Sequence, residues 1–176
     1  MRCSTRQRIE LFAAAAHKAA RPYQVDAVIE GMKLLGKGGF VLKIPQGTGK
    51  SLVSQLIVRL HLDRAVSRKR KALVLAPTIE LRKQYVRLAS WFSRASGDSP
   101  GRNVGELDDS RSHSKNFLEM VREYQLLVTT PKFLANRLAL MEDYWADIDL
   151  CVLDEVDLWS IASALDEGDV RVHKHM

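Results

Sequence analysis

The stretch KIPQGTGKSL, Lys43 to Leu52, holds the residue types that bind phosphate. Gly47 and Gly49 permit a tight turn in which consecutive amides face phosphate oxygens, and a helix beginning near Lys50 would add its positive end. Lys50 offers a point charge for the outer phosphates, and the Ser51 hydroxyl is a hard oxygen ligand suited to magnesium. The full pattern GxxxxGK[ST] asks for glycine five residues before Gly49, where Ile44 stands. That place falls at the end of an apolar run, ahead of the residues whose amides would do the cradling. The second candidate is DEVD, Asp154 to Asp157, directly after the apolar CVL. Ligands of open α/β sheets bind at the C-terminal ends of strands. Asp154 is therefore placed to anchor magnesium and Glu155 to orient and activate water. Alone, an acidic tetrapeptide is equally a helix N-terminus or a solvated turn. Paired with the loop about a hundred residues upstream, it reads as the second half of one site.

Such a site needs strands that end at it and helices that begin there. A helical pattern from Gln7 to Ala20 stops at Arg21-Pro22, because proline disfavours helix in the residue before it. A second helix is predicted from Pro22 to about Leu35, with Val25, Val28, Ile29 and Met32 at spacings of three and four, until GKGG ends it. Then the period changes: Phe40 to Ile44 reads as a buried strand leading into the loop, followed by an amphipathic helix from Lys50 to about Leu62. The alternation repeats with a strand at Ala72 to Ala76, a helix from Ile79 to Phe92 and a turn-rich loop at Ser93 to Asn103. A weak strand near Asn103 to Leu107, a polar stretch at Asp108 to Lys115, a helix at Phe117 to Tyr124 and a strand at Gln125 to Thr129 come next. Pro131 opens a helix through Met141, and the last strand is Asp149 to Leu153. Near-continuous apolar strands between helices imply an α/β fold, a doubly wound and mostly parallel sheet with helices on both faces.

A chain of 176 residues is long enough for one proper core, and 46% hydrophobic with 27% charged residues is ordinary for a globular domain. The chain has no apolar run near the ~18 residues of a membrane span, so a membrane partner is not expected. Cys3 and Cys151 form no spaced framework, and Cys151 reads as a small buried thiol, which favours an intracellular setting, cytoplasmic or nuclear. Charge is uneven. Residues 1–140 carry 25 Lys and Arg against 11 Asp and Glu, and residues 141–176 carry 2 against 10. A basic body suggests an anionic partner, with nucleic acid first. The densest basic run, Ser67 to Lys71, reads equally as a solvated turn or a phosphate contact.

RPYQ at Arg21 to Gln24, IPQGTGKS at Ile44 to Ser51, LAPTIELRKQ at Leu75 to Gln84, TTPKFL at Thr129 to Leu134 and DEVD occur in an order that resembles superfamily-two helicases and translocases of DEAD/DEAH-like type. They are similar to the Q motif and motifs I, Ia, Ib and II of that family's first RecA-like domain, a P-loop NTPase unit. In that family the first glycine of motif I is commonly replaced, so Ile44 fits. The resemblance implies ATP and magnesium as cofactors, bound by Arg21, Gln24, Gln46, Gly47, Thr48, Gly49, Lys50 and Ser51. Ser51 and Asp154 would hold the metal, and Lys50, Asp154 and Glu155 would be catalytic. Gln24 would read the adenine edge, although its residue type also suits a helix cap. Thr78, Arg82 and Thr130 would meet nucleic-acid phosphates, while Pro77-Thr78 and Thr130-Pro131 also serve as strand-to-helix caps.

The expected organisation is an N-terminal helix over residues 1–20, then an incomplete first RecA-like domain over 21–176 without the second motor domain. A partner domain or subunit would supply the arginines that meet transition-state charge. The expectation is thus an ATP hydrolase that binds DNA, or RNA, with weak hydrolysis by this chain alone. RPYQ with QGTGKS resembles the restriction-type and repair-type translocases, which favours DNA. The competing reading is a degenerate nucleotide-binding module that only holds nucleic acid or a protein.

Overall fold

The computed structural model describes residues 4–64, 71–95, 104–107 and 114–155. The basic run before Lys71, the end of DEVD from Val156 and the acidic tail lie outside them. Helix α1 (Thr5–Ala15) is opened by a capping box, Ser4 accepting from the Gln7 amide and Gln7 from the Ser4 amide. Helix α2 (Pro22–Leu35) has Pro22 in its first turn and runs as the periodicity predicts. Helix α3 (Lys50–Arg64) follows the phosphate-type loop. It is not amphipathic. Val53, Leu56, Ile57 and Leu60 pack with Ile9, Val25 and Val28 of the first two helices, and Val58 packs with the opposite cluster against the sheet. A helix covered on both sides has no polar stripe to show.

Four strands follow, each close to its predicted place: β1 (Lys71–Leu75), β2 (Val104–Glu106), β3 (Leu126–Thr129) and β4 (Ile148–Leu153). Their order in the sheet is β2-β3-β1-β4 and every pairing is parallel. Alternation sorts each strand's side chains onto two faces. Ala72, Val74, Leu126 and Val128 meet Val58 of α3 and Tyr85 and Ala89 of α4 (Ile79–Ala95). On the other face, Leu73, Leu75 and Leu127 meet Phe117 and Val121 of α5 (Ser114–Glu123) and Phe133 and Leu134 of α6 (Pro131–Ala135). The doubly wound α/β expectation is therefore met, with α1 and α2 as a further layer behind α3.

Three local expectations are corrected. Phe40 to Ile44 is not a strand. Its alternate residues Phe40, Leu42 and Ile44 pack against the helical cluster while Val41 is 92% exposed, so the period of two is real but no ladder forms. The helix predicted from Pro131 through Met141 breaks after Ala135, and a 3-10 helix spans Leu138–Asp147. Arg137, at φ −130°, lies outside helical geometry and forces the break. Cys151 is exposed rather than buried. It lies in register with Leu73 on β4, which pairs only with β1 among the described residues.

Lys71 anchors the start of β1. The residue is buried, and its Nζ donates to the carbonyls of Arg122 and Tyr124 at 2.9 Å each, at the C-terminal end of α5 where a cation is favoured. Burial pushes this ammonium below its ordinary 10.5, against an upward pull from Asp147. Between the lowered value and 10.5 the unfolded chain binds more protons than the folded one, so Lys71's contribution to stability grows as pH rises through that window. Denaturant titrations of wild type and Lys71→Met should show wild type gaining on the variant as pH rises toward 10.5. A constant difference would mean that Lys71 titrates alike in both states.

Candidate nucleotide and nucleic-acid site

The loop before α3 turns at two glycines with positive φ, Gly47 at 77° and Gly49 at 86°. L-residues avoid this region, and glycine at both places lets the chain turn tightly into the start of α3. Thr48 closes the turn, its hydroxyl donating to the Pro45 carbonyl. The Thr48 carbonyl in turn accepts from Gln24 Nε2 at 2.9 Å and from the Tyr23 hydroxyl at 2.6 Å. Gln24 Oε1 accepts from the Arg21 amide at 2.9 Å, which caps α2. Gln24 is 4% exposed and bonded at both ends of its amide. The structure thus places it in the capping position and gives it a second task, holding the loop. Arg21 and Gln46 are exposed beside it.

Across the site, Lys50 Nζ lies 3.1 Å from Glu155 Oε2, joining residues 105 apart in sequence. The Asp154 amide donates to the Leu75 carbonyl at 3.0 Å, a rung that continues the β1–β4 ladder past the strand end. Asp154 Oδ1 accepts from the Glu155 amide at 3.1 Å. Glu155 itself has φ 49°, a left-handed conformation that costs a non-glycine residue about 1–3 kcal/mol. Burial, then the Glu155 charge, raise the Asp154 carboxyl above the ordinary carboxylate range, while the Glu155 amide and Lys50 pull it down. Asp154 is half-buried, and carboxylate and hydroxyl oxygens are both ligand types that suit a hard cation. Among the described residues there is no group of three or more metal-type side chains. Magnesium held by one carboxylate, one hydroxyl and phosphate oxygens is the mode compatible with Asp154 and Ser51.

The residues expected at a polymer are not all alike. Thr78 is exposed and its Oγ1 accepts from the Leu81 amide at 3.2 Å, capping α4. Thr130 is half-buried and caps α6 through the Phe133 amide at 3.3 Å. Arg82, by contrast, is 5% exposed. Its Nε donates to Glu106 Oε1 at 3.0 Å and its Nη1 to the Leu107 carbonyl at 3.3 Å, so it faces inward rather than toward a phosphate. Sequence reasoning missed Tyr23, which stood inside the RPYQ match, and Glu106, whose partner is 24 residues away and which no local pattern signals.

A parallel α/β domain with a glycine-turned phosphate loop facing an acidic strand end is a P-loop NTPase unit of RecA-like type. The family model described as DEAD/DEAH box helicase matches residues 21–166. The chain belongs to that family, as the first RecA-like domain of a superfamily-two helicase. At family level it is therefore a helicase-type, nucleic-acid-dependent ATPase domain. A comparison with curated proteins gave no match. No helix among the described residues is long and apolar enough to cross a membrane.

The two loop glycines make different demands. A Cβ on Gly47 would meet nothing within 4 Å, whereas on Gly49 it would lie 2.6 Å from Gln24 Nε2. Gly47→Ala should cost only the backbone penalty of roughly 1–2 kcal/mol. Gly49→Ala should cost that and about 1–2 kcal/mol more, because Gln24 must release Thr48. Denaturation midpoints of the two variants measure the gap, and equal losses would show that Gln24 does not hold the loop.

Proposed function

We propose that this chain binds Mg-ATP in the Gly47–Ser51 loop and a DNA backbone at the strand exits beside it, and hydrolyses ATP slowly by itself. The observation that carries the reading is the Lys50–Glu155 contact at 3.1 Å, which sets the lysine of the glycine loop against the acidic strand end. Loop amides and Lys50 would take the phosphates, with Gln46, Gly47, Thr48 and Gly49 forming the cradle. Ser51 and Asp154 would hold the cation, which when bound offsets phosphate charge. Glu155 would accept a proton from the attacking water. Arg21 and Gln24 would meet the adenine, Gln24 exchanging its bond to Thr48 for the base. Thr78 and Thr130 would meet backbone phosphates, giving salt-dependent and sequence-independent affinity. The arginines that meet transition-state charge would come from a second RecA-like unit.

Binding of a fluorescent ATP analogue with magnesium tests the nucleotide half. Lys50→Ala should weaken it by roughly 10–100-fold, the worth of a charge-assisted phosphate contact. Undiminished binding in that variant would sink the reading. The polymer half is tested by titrating single-stranded DNA and RNA with and without nucleotide. A motor domain couples the two affinities reciprocally. Independent affinities would favour a passive nucleotide-binding module, and tighter binding of RNA would reverse the choice of polymer.

A further inference from the structure

We propose that Arg82 is a positioning residue for polymer binding: its buried pair with Glu106 clamps the β2 exit to α4 and so sets the spacing of the surface that meets nucleic acid. This rests on the polymer-binding half of the proposed function. Arg82 is one turn into α4, its amide bonded to the Thr78 carbonyl at 3.0 Å, so it moves with the exposed Thr78 corner. Its guanidinium donates to Glu106, the last residue of β2, and to the carbonyl of Leu107. That carbonyl also accepts from Thr129 Oγ1 at 3.1 Å, and Thr129 is wholly buried at the end of β3. The Leu107 amide donates to Val128 at 3.0 Å. Leu107 is thus tied to α4 and twice to β3, immediately before Thr130. One planar, forked cation serves two acceptors on adjacent residues, a task a lysine ammonium performs poorly. With side-chain exposures of 7% and 19%, the pair is little screened by salt. A carboxylate held at 3.0 Å also occupies the donor edge that a phosphate would need.

The clamp and a direct phosphate contact predict opposite signs for Glu106→Gln. A direct contact would be released by the substitution, so DNA would bind more tightly and the dependence of log affinity on log salt would steepen by ~0.7 for one more neutralised phosphate on a single strand. The clamp predicts affinity for a single-stranded oligonucleotide lower by about tenfold, an unchanged salt slope and unchanged Mg-nucleotide affinity. Arg82→Met with Glu106→Met, which removes both charges together and so leaves neither buried alone, should show the same loss. Hydrogen exchange at the Leu107 amide gives a readout that needs no ligand, and it should accelerate in Glu106→Gln. Tighter DNA binding with a steeper slope, unchanged affinity, or unchanged Leu107 exchange would each overturn the clamp. If wild type fails to bind DNA while Leu107 exchange does accelerate, the polymer-binding reading falls and the pair is a fold element only.

Discussion

In a parallel sheet every strand leaves at the same edge, and the rest of this molecule depends on that constraint. Exits of β1, β2, β3 and β4 deliver Thr78, Leu107, Thr130 and Asp154 to one side of the domain. An antiparallel neighbour would send its chemistry to the far end. The ladder continues past the last paired residues through the Asp154 amide on Leu75, so the acidic turn is registered against β1 by backbone alone. Hence the carboxylates of Asp154 and Glu155 and the segment leading to Thr78 are neighbours although 76 to 78 and 154 to 155 are far apart in sequence.

The phosphate loop is fastened differently, because no strand of the sheet leads into it. Its position is set from the helical layer. Gln24 and Tyr23 grip the Thr48 carbonyl, and Phe40, Leu42 and Ile44 pack onto the cluster formed by α1, α2 and α3. Gln24 couples two events, since the amide that caps α2 is the amide that holds the loop. A ligand that drew Gln24 away would loosen both at once. Arg21 and Pro22 therefore matter to the loop through the start of the helix that Gln24 caps.

Much of this was legible from local pattern. The boundaries of α2 followed from Pro22 and the glycines after Leu35, and β1, β3 and β4 followed from short apolar runs, with β2 read only as a weak strand. What escaped was set by distant partners. Phe40 to Ile44 carries a strand's alternation, yet alternation specifies only which side chains face inward and says nothing about whether a neighbour offers hydrogen bonds. Cys151 sits in an apolar run, but its burial depends on cover that the run does not encode. Arg82 was assigned by its place in a motif. Its direction was settled by Glu106, which reaches it only through the parallel crossover to β2. Thr78 and Thr130 cap their helices, so the local reading of strand-to-helix corners held at both.

At the acidic edge one lysine contact lies beside two adjacent carboxylates. Lys50 contacts Glu155, while burial and the adjacent Glu155 charge raise the Asp154 carboxyl and Lys50 lowers it. Nucleotide phosphates alone would draw Lys50 from Glu155 and leave the carboxylates beside further negative charge. On the proposed reading, Ser51 and Asp154 would hold a divalent cation bound with the phosphates, which would offset part of that negative charge. Glu155, released from the lysine, would no longer have that contact opposing relaxation of its left-handed backbone. On the proposed reading, Glu155 no longer paired with Lys50 would be available to accept a proton.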